Sequence, residues 1–435
     1  MISRPLLDAL WTRAARVARQ EEAVLDELYL EEARRERSWA SSHGPSGSLV
    51  ELDRGMSVLL LRGELTAFGA RAGLELDAAE PLVRETAARP RARRAPPRAH
   101  LGLGHLAAGV DLGVALEDKG LRLSLELLRS RRRYFVRHQD LAARAGSEAI
   151  DQAEIKAEGE RRGRRALIEV RVPLGDPRGV ERAVADAREG ARRALRAKPA
   201  PSGKTTVVLG PGSGAALFHE VIGHPLEADF IATGRSWYRS ALVGKKLAID
   251  ELSIADDPRA KGSPVQLERD GEGVRARRVA LLERGELAGL LLDRATARLA
   301  GVSPNGHARR SSWRVPARPR MTSTVVAPGP HRAEELLGSV RRGVYVARMA
   351  FGRADFVTGR FCMAASEAFA IRGGKLGTPL ANVHLEGDAL SLLASVRAVA
   401  SDLEFEPGAL LCDKEDEVWV GLAQPTILLH GISVG

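Results

Sequence analysis

The chain has 435 residues, 44% of them hydrophobic and only 4% aromatic, so it is long enough for two or three cored domains built mainly on Leu, Val and Ala. Its formal net charge is +10, and 57 of its 66 basic residues are arginine, alternating with glutamates and alanines in the manner of solvated faces. No aromatic-studded basic module appears, which argues against a nucleic-acid partner.

Two cysteines, Cys362 and Cys412, exclude a disulfide framework and suit a reducing cytosol. Leu6, Leu7, Leu10, Ala14 and Val17 fall at helical spacing among charged residues, with no signal-peptide apolar core. No stretch approaches about 18 uninterrupted apolar residues, so no membrane span is expected and the protein is read as cytoplasmic.

After the opening helix the hydrophobic period becomes two. Leu28–Glu31, Ser48–Leu52 and Met56–Leu61 read as short strands, and Glu64–Phe68 returns from Met56–Leu61 as a hairpin. A helix is expected from about Leu76 to Ala88. Arg89–Arg98, with three prolines among like charges, reads as an exposed loop. Leu121, Leu123, Leu125 and Leu127 alternate with polar residues in the clearest half-buried strand, and Tyr134–Val136 and Ala166–Val172 continue a meander. A helix over Val180–Ala197 closes this half, and Lys198–Gly203 is the best linker candidate. His43, His100, His105 and His138 are scattered and read as structural or exposed.

The second half opens on the strand Thr205–Leu209 and the turn Gly210-Pro211-Gly212-Ser213-Gly214. No Gly-Lys-Ser/Thr follows, so the glycines read as a strand-to-helix turn and not as a phosphate cradle. Phe218-His219-Glu220-Val221-Ile222-Gly223-His224-Pro225 then places two imidazoles and a carboxylate within six residues. Neutral histidines hold divalent metals, and a carboxylate can move a proton. Five residues of ideal α-helix turn the second side chain about 140° from the first, so the helix is expected to end or distort near Gly223 and Pro225. The competing reading makes both histidines structural.

Further on, Val279–Leu292 reads as two strands around Arg284-Gly285, Pro330–Arg342 as a helix start, Glu367–Leu376 as a hairpin and Asp388–Ala400 as a helix. Arg309, Arg310 and Arg320 lie on polar loops where they could clamp a carboxylate or polarise a carbonyl. A catalytic zinc needs a third protein ligand, for which both Cys412 and Cys362 qualify on chemistry alone. Glu227 and Asp229 are further candidates to bind the metal or steady its ligands.

Taken together, His219-Glu220-Val221-Ile222-Gly223-His224 followed by Leu226–Phe230, then Pro319–Thr322, Ser366–Phe369, and Cys412 with Gly421–Thr426, resemble the TldD/PmbA family of metallopeptidases in its catalytic TldD-like branch. The matching segments keep the family's order across residues 204–435. The resemblance implies a zinc peptidase in which His219, His224 and Cys412 bind Zn²⁺ and Glu220 is the general base for a metal-activated water. It also implies action on unfolded peptides or leader segments, and a homodimer or a heterodimer with a motif-lacking paralogue. Pro225 and Asp413 stand where the family usually has glycine.

The resulting expectation is an α+β fold of two domains. The N-terminal mixed α/β sheet domain covers residues 1–198, and the β-rich C-terminal metallopeptidase domain, with the metal-site helix, covers 204–435. The alternative is a non-catalytic assembly or scaffold subunit of a peptidase complex, which the intact His-Glu-His set disfavours.

Overall fold

The computed structural model describes residues 2–63, 65–88, 105–108, 114–239, 242 and 244–435. The expected Arg89–Arg98 loop and His100 lie outside the described residues. The fold is α+β, with strands the larger share.

In the first half the alternation runs much further than the apolar segments suggested. Val24–Ser41 and Gly44–Arg62 form one long hairpin, and Leu121–His138 and Arg144–Arg161 form another. The segments read separately as Ser48–Leu52 and Met56–Leu61 belong to one strand, as do Leu121–Leu127 and Tyr134–Val136. Charged stretches that interrupt the hydrophobic pattern do not interrupt the strands, because facing charges pair: Arg37 reaches Glu126 at 2.8 Å, and Arg131 reaches Asp151 at 2.8 Å. The antiparallel sheet runs in the order 65–72, 44–62, 24–41, 121–138, 144–161, 164–173.

Period-two alternation gives this sheet two different faces. One carries Leu28, Leu30, Met56 and Val58 beneath the helices Arg4–Gln20 and Ala79–Ala87. The same face carries Leu123, Leu125, Ile155 and Ile168 beneath Pro177–Arg196, whose Val180, Ala183, Val184, Ala187 and Ala191 recur at helical spacing. The opposite face buries Glu27, Tyr29, Glu31, Tyr134, Glu148 and Gln152. That polar face meets the second half of the chain.

In the second half, Gly203–Leu209 lies parallel to Arg342–Ala354 and antiparallel to Ile427–Val434. Pairing continues through His384–Asp388 and Arg360–Arg372 back to Arg342–Ala354, so these five strands close into a ring. The linker candidate is stitched into the same sheet: Lys198–Pro199 pairs with Leu380 and Ala381. A second sheet carries Ile254–Asp256, Val279–Glu283, Ser323–Val326 and Glu417–Gln424, and Leu410–Asp413 folds back on Glu417–Gln424 as a hairpin. The largest core cluster lies around these sheets and includes Leu209, Phe218, Ile222, Leu226, Leu281 and Leu429.

One expected helix is shorter than its sequence reading. Only Ala389–Ser395 is helical, with Leu392 and Leu393 fully buried as expected. Val396–Val399 pairs with Ile427–Leu429 instead, as suits its two valines. Among the described residues no helix is long and apolar enough to cross a membrane.

Candidate metal centre

The helix entered at Ala215–Phe218 widens to a π-helix over His219–Gly223, and a 3₁₀ turn His224–Leu226 follows. The His224 amide donates to the His219 carbonyl, the i→i+5 bond that defines this wider turn. A π-turn brings residues five apart onto one face, so the spacing that would splay two imidazoles on an α-helix aligns them here. Their rings meet edge-on at 5.0 Å between centroids.

The expected distortion is present, but it begins at His219 and has a different cause at Gly223. That glycine keeps ordinary right-handed helical torsions, with φ −62° and ψ −63°. It is needed for space: a Cβ there would sit 1.9 Å from Met321 Sδ. Trp237 also supports the turn, its indole Nε1 donating to the Val221 carbonyl at 3.0 Å. Pro225 follows in the 3₁₀ segment, and His224 before it keeps right-handed helical torsions, φ −56° and ψ −45°, so the proline does not turn the histidine out of the helix.

Cys412 reaches the same point from the hairpin Leu410–Asp413. Its Sγ lies 3.3 Å from His219 Nε2 and 3.2 Å from His224 Nε2, and all three residues are buried. Among the described residues these three are the group whose ligand atoms converge, all within 4.8 Å of one another. Cys362, the other thiol that chemistry allowed, is exposed on a different sheet, 3.7 Å from Glu386.

The far side of each imidazole is held in place. His219 Nδ1 lies 2.9 Å from Thr324 Oγ1. The Thr324 hydroxyl faces Met321 Sδ at 3.5 Å as donor, which leaves its oxygen to accept from the histidine. His224 Nδ1 faces Glu227 Oε1 at 3.2 Å. Protonation of both Nδ1 atoms turns both Nε2 lone pairs toward the thiol, as metal-binding histidines require. Two imidazole nitrogens and a thiolate with restrained outer atoms are a donor set that suits zinc.

The electrostatics favour a cation at this point. Burial pushes the Cys412 thiol up, but His224 and His219 outweigh it and hold the thiol well below its ordinary value. Burial pulls His224 down, yet Cys412 and Glu227 hold it well above its ordinary value. Burial also opposes ionisation of Glu227, but His224 and Lys414 bring its carboxyl down to about 2. Lys414, buried, donates to Glu227 at 2.6 Å, Asp229 at 2.7 Å and the Pro319 carbonyl at 3.1 Å. With His224 carrying its proton, four anions (Cys412, Glu227, Asp229 and Asp416) face three cations, His224, Lys414 and Arg320. A metal taking the His224 lone pair would displace that proton and meet a net of two negative charges.

Other candidates fall in different places. Glu220 sits beside His219, half-buried, and among the described residues no hydrogen-bond or ion-pair partner holds its carboxylate. Arg320 is fully buried and donates to Cys412 Sγ at 3.2 Å. Arg309 and Arg310 are also buried, but they belong to the contact with the first half of the chain. Arg309 donates to Glu148 at 3.0 Å and Arg310 to both Glu27 oxygens at 2.9 Å. Both arginines thus tie the second half to the sheet of the first, while Arg310 Nε and Nη1 have no hydrogen-bond partner among the described residues.

Sequence reasoning missed Lys414, Thr324, Asp416 and Met321. The only available signal was position: Lys414 and Asp416 follow Cys412 by two and four residues, Met321 lies within the Pro319–Thr322 match, and Thr324 lies two residues beyond it. A cavity of about 670 Å³ opens on the other side of this hairpin, lined by Arg132, Arg310, Ser311, Leu411, Asp416 and Trp419 among others. The strand alternates between the two sides: Leu411 lines the cavity, and Cys412 faces the histidines.

The fold, a polar-faced antiparallel sheet joined to a β-rich unit, is shared with solved proteins across nearly the whole chain. A candidate modulator of a DNA gyrase from Thermotoga maritima superposes with a TM-score of 0.77 at 16% identity, covering 98% of this chain and 100% of that one. TldE from Thermococcus kodakarensis superposes with a TM-score of 0.73 at 16% identity, with the same coverage. At such identity the likeness is one of fold.

Sequence similarity defines the family. Residues 202–435, more than half of the chain, match the PmbA/TldA metallopeptidase C-terminal domain, and the chain belongs to the TldD/PmbA family. A metalloprotease TldD homolog from Buchnera aphidicola (subsp. Acyrthosiphon pisum) is 36% identical over 242 residues, which is 55% of this chain and 50% of that protein. A metalloprotease from Methanothermobacter thermautotrophicus is 32% identical over 299 residues, 68% of this chain and 59% of that protein. The chain therefore spans about half to three-fifths of the length of these curated relatives.

Proposed function

We propose that the protein is a zinc-dependent peptidase of the HExxxH type. The carrying observation is the convergence of His219, His224 and Cys412 on one buried point, with the Glu220 carboxylate, unpartnered among the described residues, next to His219 in the chain. The metalloprotease names of its relatives support the same class.

His219 Nε2, His224 Nε2 and Cys412 Sγ would hold the metal. Bound Zn²⁺ supplies Lewis acidity and lowers the pKa of a bound water toward about 7. Thr324 and Glu227 fix the imidazole tautomers, and Lys414 ties Glu227 and Asp229 in place. Glu220 takes the proton of the attacking water and delivers it to the leaving amine. The surrounding Phe230 and Phe356 rings, the latter 4.9 Å from His224, keep bulk water from this side of the site.

The substrates are unfolded peptides or leader segments. The chain works in the cytoplasm as a homodimer or beside a paralogue lacking the zinc motif. Residues 204–435 form the metallopeptidase domain and residues 1–198 an α+β domain whose polar face buttresses it.

Metal analysis of the purified protein, paired with peptide cleavage before and after chelation, tests this reading. One zinc per chain and cleavage that chelator abolishes and zinc restores are expected. Bound zinc with no cleavage of any unfolded peptide would favour the assembly-subunit alternative, and absence of both would remove the enzyme.

A further inference from the structure

Arg320 sits at the end of the Arg318–Pro319 strand, its amide donating to the His307 carbonyl at 2.8 Å. The side chain is fully buried, and both terminal nitrogens point at the Cys412–Asp416 turn. Nη1 donates to Asp416 Oδ1 at 3.0 Å and to the Asp416 carbonyl at 2.9 Å. Nη2 donates to the Cys412 carbonyl and, at 3.2 Å, to Cys412 Sγ. Asp416 is itself fixed, its Oδ2 accepting from the Ser311 amide at 2.7 Å. The planar fork is therefore locked on both sides, which a flexible lysine could not reproduce.

We infer that Arg320 is a positioning residue that sets the donor strength of the Cys412 thiolate, through a hydrogen bond anchored by Asp416. The inference rests on the metal-site reading above and departs from the sequence expectation that Arg320 meets substrate. A cationic N–H donor draws charge from a sulfur lone pair. The thiolate then gives less charge to a bound metal, and the metal stays a stronger Lewis acid. A residue with both terminal nitrogens committed to the protein has no donor there to offer a peptide.

Cobalt substitution reads the thiolate directly. Metal-stripped wild type and the variants Arg320→Met, Arg320→Lys and Asp416→Asn are titrated with Co²⁺, and the near-ultraviolet thiolate-to-cobalt charge-transfer band is recorded. Losing the donor raises the energy of the sulfur lone pair, so Arg320→Met should move the band to longer wavelength. Asp416→Asn, which loosens the guanidinium without removing it, should give a smaller shift in the same direction, and Arg320→Lys should lie nearer wild type.

With zinc restored, Arg320→Met should lower kcat by about 10–100-fold and leave KM within about twofold. Circular dichroism establishes whether each variant folds, and if Arg320→Met does not, Asp416→Asn carries the same readout. A wild-type band that neither folded variant moves would overturn the inference, and so would a raised KM without a spectral shift. A wild type with no charge-transfer band would instead overturn the Cys412 ligand assignment on which the inference depends.

Discussion

Cys412 is the cluster's anionic donor, its thiol held well below its ordinary value by His224 and His219 against the cost of burial. Without its thiolate the cluster keeps two imidazoles and loses the anion that draws a metal in. Cys412→Ser should therefore retain the fold and lose zinc about 10–100-fold more readily in a competition titration with a chromophoric chelator. Among the described residues no hydrogen bond or ion pair holds the Glu220 carboxylate, so Glu220→Gln should bind zinc as wild type does and lose peptide cleavage by at least about 100-fold. Wild-type cleavage by that variant would remove the proposed base. At this scale the two histidines and Glu220 were legible in the sequence because they are consecutive chemistry. The choice of Cys412 over Cys362 came from the family resemblance and not from chemistry, since 188 residues separate it from His224 and only the fold closes that gap.

The π-turn His219–Gly223 is the element that turns an unfavourable spacing into a binding face. Its presence could not be read from residue types, because it depends on what packs against it: Met321 beneath Gly223 and Trp237 on the Val221 carbonyl. Gly223→Ala should force the new methyl into Met321. The overpacking should cost about 1–3 kcal/mol and reduce zinc occupancy as the turn shifts. Pairing it with Met321→Ala should recover part of both, measured by thermal unfolding and metal content. A Gly223→Ala protein with unchanged stability and full zinc would show that the glycine is not there for space. Hairpins and amphipathic helices were easier to read, since alternation and helical spacing survive without context. The long strands were cut short in that reading because cross-strand ion pairs such as Arg131–Asp151 look like loops in a one-dimensional pattern.

Across the whole molecule, buried ion pairs fasten the first-half sheet to the segment that leads into Arg320. Glu148 accepts from Arg309 and Arg132, and Arg309 also donates to the Met321 and Trp419 carbonyls. Arg309 and Arg310 read as loop arginines in the sequence because their carboxylate partners lie 161 and 283 residues away. Glu148→Ala should strand two buried guanidinium groups and cost about 3–5 kcal/mol, part of it regained in Glu148→Ala/Arg309→Met. Burial alone would raise the Glu148 carboxyl, but Arg132 and Arg309 hold it below its ordinary value of 4.5. Its contribution should thus be complete above about pH 4.5 and fade as the pH falls below it. Denaturant titrations at pH 7 and pH 4 should show wild type losing more stability on acidification than the Glu148→Ala variant; equal losses would remove the pair from the account. The claim that distant segments assemble one metal centre is tested most directly by X-ray absorption at the zinc edge of the purified protein. Fine structure should show one sulfur at about 2.3 Å and two imidazole nitrogens at about 2.0–2.1 Å, with the sulfur lost in Cys412→Ser. A zinc shell made only of nitrogen and oxygen in wild type would contradict it.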